Sequence, residues 1–353
     1  MRPRELVIGV GLCAAWIVLS ILELRVGPGG AFPADDLARG VGAAFRLADP
    51  LEGSRQTIVE FRLWRALAAG FVGGALSLSG MMLQGLFRNS LAAPSVIGVT
   101  AGASLGAAIA ILMFSGYLPT WALLTDRSVQ PFVLSGAAFL GALGTAALVT
   151  GVAQLGGRVS VPTLLLAGIA VTTSVSGILG AIQSTVFHDF DVVRALGAFT
   201  FGSLDDRNGM HVSMVVSGLV LAMATIPFVA TELDLMAGGE SDARSLGVDV
   251  GRTKVLVLGA AVMSAACAVA AAGQIAFLGL IVPHLVRLVV GGAHRVLLPM
   301  SVLGGAVFLL ATDYAQRAYF GDLGLQPGVV MSLLGGPFFL SLLLRHRRTA
   351  IAW

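Results

Sequence analysis

Two arginines three residues apart, Arg62 and Arg65, open one long apolar stretch, and an acid and a base four apart, Asp313 and Arg317, close another. At helical spacing each pair shares a face. An arginine pair at such a boundary either anchors lipid headgroups or receives acidic groups of a partner, because the guanidinium fork matches carboxylates bidentately. Asp313 and Arg317 fit an i,i+4 ion pair, which near a membrane boundary marks a structural lock or a site. A third polar interval, ELDLMAGGESDARSLGVDVGRTK from Glu232 to Lys254, breaks the apolar pattern of the second half. Its middle has neither Gly nor Pro and reads as a short helix over Glu240 to Leu246, stopped by Gly247 as a left-handed cap. Glu240, Ala243, Arg244, Leu246 and Gly247 form the expected docking surface of this segment, and the rival reading is a solvated connection between two spans.

Residues for catalysis are missing from the pattern. The histidines at 188, 211, 284, 294 and 346 are dispersed and mostly near segment ends, with no second ligand at coordination spacing, so neither a catalytic group nor a metal site is expected. His284 follows Pro283, which leaves the Gly279 carbonyl without its helical donor, and the imidazole reads as a local polar partner. No GxxxxGK[ST] phosphate loop occurs, so nucleotide chemistry must reside on another chain. Cys13 and Cys267 fall in apolar segments and suggest neither a disulfide nor a thiolate metal site.

The elements that position these residues are membrane helices. With 353 residues, 56% hydrophobic, 12% charged and a mean hydropathy of +0.90, the chain has too little polar surface for a water-soluble globule. Its 46 glycines against 7% aromatics suit helices packed through small residues. The apolar runs are continuous over helical lengths, which excludes a β-barrel pattern. They fall at 6–24, 63–83, 95–114, 131–153, 161–186, 211–230, 253–272, 275–291, 296–313 and 327–344, about ten spans. The third, eighth and ninth are short and rich in Gly or Pro and are expected to break or stop within the bilayer. The basic run at the N-terminus precedes an apolar stretch longer than a signal core, read as a retained first span.

Arg2, Arg4, Arg88, Arg158, Arg244, Arg252, Lys254, Arg287, Arg295, Arg345, Arg347 and Arg348 fall on one side when ten spans alternate, and the positive-inside rule makes that side cytosolic, with both termini. The first loop, 27–61, is then extracytoplasmic, and its GVGAAFRL portion is expected to be a surface helix. About 35 residues cannot bury a core of their own. The basic residues are too scattered for a nucleic-acid footprint, and the membrane partner is lipid.

Several stretches together carry a resemblance: RLWRALAAGFVGGALSLSG with LQGLFRNSLAAPSVIGVTAGA, then LLLAGIAV, FGSL, ARSLGV, GQIAFLGLIVPHLVR, HRVLLP and LQPGVVMSLLGGPFFLSLLLR. In this order they resemble the permeases of binding-protein-dependent ABC importers for ferric siderophores, haem and cobalamin, the FecCD or type II importer family. The resemblance spans nearly everything from Arg62 to Arg345. It implies an all-α polytopic fold of ten transmembrane helices in a single domain, working as a homodimer. Two cytosolic ABC ATPases would carry ATP and Mg and couple through residues 232–254, and a periplasmic or lipid-anchored binding protein would dock at Arg62, Arg65 and Arg317. It also implies that the fifth span lines the pathway, with Thr172, Thr173, Ser176 and Gly177 as small, weakly polar lining residues. The expected location is a bacterial inner membrane. The chain departs from the family pattern at Ser90 (usually Pro), Ala93 and Ala293 (usually Asp), and Thr312 and Gln316 (commonly Ala).

The expected function is a permease that moves a bulky metal chelate inward by alternating access, a ferric siderophore ahead of haem or cobalamin. An ion- or proton-coupled secondary transporter is the alternative, but the span centres carry almost none of the charges such coupling needs.

Overall fold

A computed structural model of the chain describes residues 3–25, 32–119, 126, 128–154 and 161–350. Residues 27–31 of the first loop and Arg158 lie outside the described residues, as do the side chains of His346 and of the terminal Arg345, Arg347 and Arg348. All described regular elements are helices: α1 (Pro3–Arg25), α2 (Ala34–Ala44), α3 (Ser54–Phe87), α4 (Val99–Phe114), α5 (Gln130–Gln154), α6 (Val161–Thr185), α7 (Phe190–Thr200), α8 (Gly209–Ala224), α9 (Ile226–Ala237), α10 (Glu240–Ser245), α11 (Val250–Ala272), α12 (Leu278–Val290), α13 (His294–Phe320) and α14 (Pro327–Ala350), with short 3-10 turns at Pro94–Ile97 and Gly321–Leu323.

Six of these, α1, α3, α5, α6, α11 and α13, are long and apolar enough to cross a membrane, and the bent pair α8 and α9 adds a seventh. The apolar helices α4, α12 and the Pro327–Ser341 part of α14 are shorter. Together they account for the ten spans read from the sequence. Several boundaries differ from that reading: the ninth span, expected to be short and broken, is the continuous 27-residue α13, and the second extends to the 34 residues of α3. The sixth span is two helices that meet at a 57° bend at Thr225, with Pro227 in the first turn of the second. The charged interval is shorter than 232–254, because residues 232–237 close α9 and 250–254 open α11. The surface helix of the first loop is α2 over Ala34–Ala44; it begins with Asp35 and Asp36 in its first turn, which favours a helix N-terminus, and the chain turns away at Arg46 (φ 60°).

Helix α3 is the axis. Its 34 residues correspond to about 50 Å at 1.5 Å per residue, well beyond a hydrocarbon core of about 30 Å. Of its most apolar window 89% is buried, with α8, α11, α12 and α13 packed around it. Glycine makes that packing possible. A Cβ at Gly73 would sit 2.2 Å from the Gly305 carbonyl oxygen on α13, and one at Gly80 would sit 1.8 Å from that of Gly279 on α12. With no hydrophobic force between helices in lipid, such close backbone approach is the main source of packing energy. The same carbonyl of Gly279, deprived of its helical donor by Pro283, accepts from Gln84 Nε2 on α3 at 3.3 Å. His284 meets the Phe338 ring edge-on at 5.9 Å.

Candidate functional site

The helices alternate in direction, so functional residues collect at two ends of the bundle and along one face. At the first end lies a cluster of charges. Arg65 on α3 donates from Nε and Nη2 to both carboxylate oxygens of Asp313 on α13, each at 2.8 Å, and its Nη1 pairs with Asp205 in the loop before α8. Arg317 on α13 pairs with Glu23 on α1. Arg62 donates to the Leu24 carbonyl at 2.8 Å and lies over the Phe32 ring at 5.1 Å.

Burial decides what this cluster can do. Glu23, Arg62 and Asp313 are fully buried and Arg65 is 5% exposed, whereas the Asp205 side chain is 61% exposed. Arg62 and Arg65 therefore differ from the sequence expectation of open rim cations: they face carboxylates and carbonyls of their own chain. The physical reason is that a charge taken out of water near a bilayer needs a paired, hydrogen-bonded counter-charge. Asp313 and Arg317, four apart on one helix, each reach to a different helix, α3 and α1. Glu23 and Asp205 escaped the sequence reading because their partners are 294 and 140 residues away. Beside Asp205, Arg207 donates to the Ala271 carbonyl at 2.8 Å, and desolvation pulls its guanidinium below the ordinary arginine range.

Along the side of the bundle runs α6. Only 11% of its most apolar window is buried, although that window is at least as apolar as the one in α3. Thr173, Ser176 and Gly177 are exposed and Thr172 is half-buried. Ser176 Oγ donates to the Thr172 carbonyl at 2.8 Å, and a Cβ at Gly177 would meet nothing within 4 Å. Such a surface is small and weakly polar and offers no ligand to a bare metal ion. Against the bundle, α6 comes close at Gly168, whose Cβ would lie 1.7 Å from the Val96 carbonyl.

At the opposite end α10 stands between α9 and α11. Gly247 N–H donates to the Arg244 carbonyl and Val248 N–H to that of Ala243, both at 3.0 Å, with Gly247 at φ 88°. This pair of bonds is a Schellman cap, which satisfies the last carbonyls of the short helix. Glu240 Oε1 lies 2.7 Å from Lys254 Nζ and Oε2 lies 3.8 Å from Arg244, tying α10 to α11. Leu246 is 67% exposed, so an apolar side chain projects from an otherwise polar surface. Ala243, expected on the docking surface, is instead fully buried in the chain's own core, because a six-residue helix on top of a bundle needs one apolar contact to stay seated.

Two departures from the family pattern gain a structural account at this end. Ala293 has no side-chain oxygen with which to cap α13, and Asp234 of α9 does so instead: Oδ1 accepts from the His294 N–H at 3.0 Å and lies 2.6 Å from His294 Nδ1. Ala93 precedes the 3-10 turn and is buried there. At the first end Gln316 donates to the Leu325 carbonyl, and Thr312 to that of Phe308 at 2.8 Å. Nothing in the structure explains Ser90. Among the described residues no group of three or more His, Cys, Asp or Glu could hold a metal ion.

The all-helical architecture agrees with comparisons to known proteins. A model of the FecCD transport family matches residues 15–345. The cobalamin import permease of Halobacterium salinarum is 41% identical over 293 residues, 83% of this chain and 74% of the relative. The hemin transport permease of Yersinia pestis is 36% identical, covering 82% and 83% respectively, and the iron(III) dicitrate permease FecD of Escherichia coli is 34% identical, covering 82% and 86%. A solved metal-chelate type ABC transporter in an inward-facing conformation superposes with a TM-score of 0.77 at 28% identity, over 96% of this chain and 99% of that one. This all-helical chain is thus a transport subunit rather than an enzyme, and it belongs to the FecCD family of multi-pass permeases of metal-chelate ABC importers.

Proposed function

We propose that the chain is the membrane-spanning subunit of a bacterial inner-membrane importer that moves a ferric siderophore inward by alternating access. The observation that carries this reading is α6, a membrane span that a single copy leaves almost uncovered while presenting Thr173, Ser176 and Gly177, with Thr172 half-buried beside them. In a homodimer two such faces would oppose each other and line a path over which a bulky chelate slides without being gripped. Its 25 residues include no His, Cys or Met, so it offers haem iron no axial ligand, which favours a coordinatively saturated ferric chelate over haem.

Two ATPases, holding ATP and Mg, would dock at the α10 end, where Glu240, Arg244, Leu246 and Gly247 offer the contact surface and Ala243 holds the helix down from beneath. That end would face the cytosol with both termini. A binding protein would dock at the other end. Arg62, Arg65 and Arg317 would act there as a buried brace, with Arg65 keeping Asp313 and exchanging the exposed Asp205 for a carboxylate of the arriving protein. Because Arg65 is buried, such an exchange acts chiefly on the dissociation rate.

Reconstitution with cognate ATPases and binding protein in liposomes tests the cargo. ATP-dependent uptake of a ferric hydroxamate, with haemin and cobalamin excluded, is the expected result. Uptake of haemin or cobalamin in preference, or uptake that follows an ion gradient without ATP, would overturn the reading.

A further inference from the structure

At the same end as the charge cluster, α5 and α8 do not close against each other. Both lean on α11, and between their first turns a groove of about 500 Å³ opens sideways, lined by Phe132, Ser135 and Gly136 on α5 and by Met210, Met214 and Ser217 on α8. That volume is in the range of ligand sites rather than packing defects. The groove lies within the first two turns or so of each span, about 12 Å of helix rise, so it opens on the side of the bundle near the membrane boundary. Its lining is apolar apart from serine hydroxyls. Ser213, which also borders it, donates to the Met210 carbonyl and Ser217 to the Met214 carbonyl, each at 2.8 Å, the usual way a helix absorbs such groups.

Ser135 is different. It is 2% exposed, it lines the groove, and its Oγ has no hydrogen-bond partner among the described residues. A buried hydroxyl without a partner is unfavourable, and at this depth the abundant acceptors are the ester carbonyls of phospholipids. Beside it Gly136 leaves open space, since a Cβ there would meet nothing within 4 Å. We propose that the α5–α8 groove is a phospholipid site, with one acyl chain lying between Phe132 and the methionines and the Ser135 hydroxyl, turned about χ1 from its buried position toward the groove, donating to an ester carbonyl. In the orientation proposed above it would draw on the outer leaflet.

The test uses the full chain in detergent with dioleoylphosphatidylglycerol as the probe, counting retained lipid by native mass spectrometry. Gly136→Phe fills the groove without touching another group, and Gly144→Phe, on the same helix and equally open but away from the groove, controls for bulk added to a lipid-facing surface. One tightly held lipid per chain is expected in the unchanged protein and in Gly144→Phe. Gly136→Phe should weaken it about tenfold or more, and Ser135→Ala about threefold, the loss of one hydrogen bond. Equal retention in Gly136→Phe and Gly144→Phe would overturn the site, and unchanged retention in Ser135→Ala would overturn the role of the hydroxyl. Should Gly136→Phe fail to give a monodisperse peak, Ser217→Leu blocks the opposite wall on an exposed position and is read in the same way.

Discussion

Helices α3 and α6 are near equals in hydropathy and opposites in surroundings. The first is enclosed by its neighbours, α8, α11, α12 and α13 foremost, and the second lies open along the side of the bundle. Both use glycine, to different ends. On α3 a glycine lets another backbone come within contact, as at Gly73 and Gly80; at Gly177 and Gly180 on α6 it leaves room that nothing among the described residues fills. Apolar character places a helix in the membrane without saying whether it faces protein, lipid or a path for cargo.

The sharpest way to break this contrast is to enlarge both kinds of glycine. Gly80→Val sets a Cβ against a backbone carbonyl that cannot step aside, and the expected cost exceeds about 4 kcal/mol, seen as loss of the monodisperse peak on size exclusion. A well-folded Gly80→Val protein would refute the account of α3. Removing the counter-charge comes next. Arg65→Ala strands Asp313 in a buried position, with an expected loss of about 3–5 kcal/mol in thermal unfolding assays, partly recovered in Arg65→Ala/Asp313→Ala. If Arg65→Ala unfolds at the unchanged temperature, the cluster is no brace.

A smaller effect is expected at the other end of the bundle. Ala243→Trp overfills a buried contact, and about 1–3 kcal/mol should be lost from the subunit itself, before any ATPase is added. Stability equal to that of the unchanged chain, together with lost ATPase binding, would return Ala243 to the partner-facing surface. The smallest change in stability, within about 0.5 kcal/mol, is expected for Gly177→Leu on the open face, with a marked fall in reconstituted uptake. Full uptake by that variant would remove this part of α6 from the pathway.

Much of the molecule follows from local pattern. Span count, the short helix stopped by Gly247 and the helix-breaking role of Pro283 depend on apolar length, cap chemistry and a missing N–H, all of which lie within a few residues of one another. The cluster at the first end does not. Arg65 and Asp313 are 248 residues apart and Arg317 and Glu23 are 294 apart, so which carboxylate a given arginine meets depends on how α1, α3 and α13 pack. The same holds for Gln84 answering the Gly279 carbonyl and for Asp234 capping α13 where Ala293 cannot. A polar group in the membrane must be satisfied by something, and sequence makes that need legible at once. Only the tertiary structure supplies the partner, because the backbone approaches that bring it within reach are made by glycines on helices far apart in the chain.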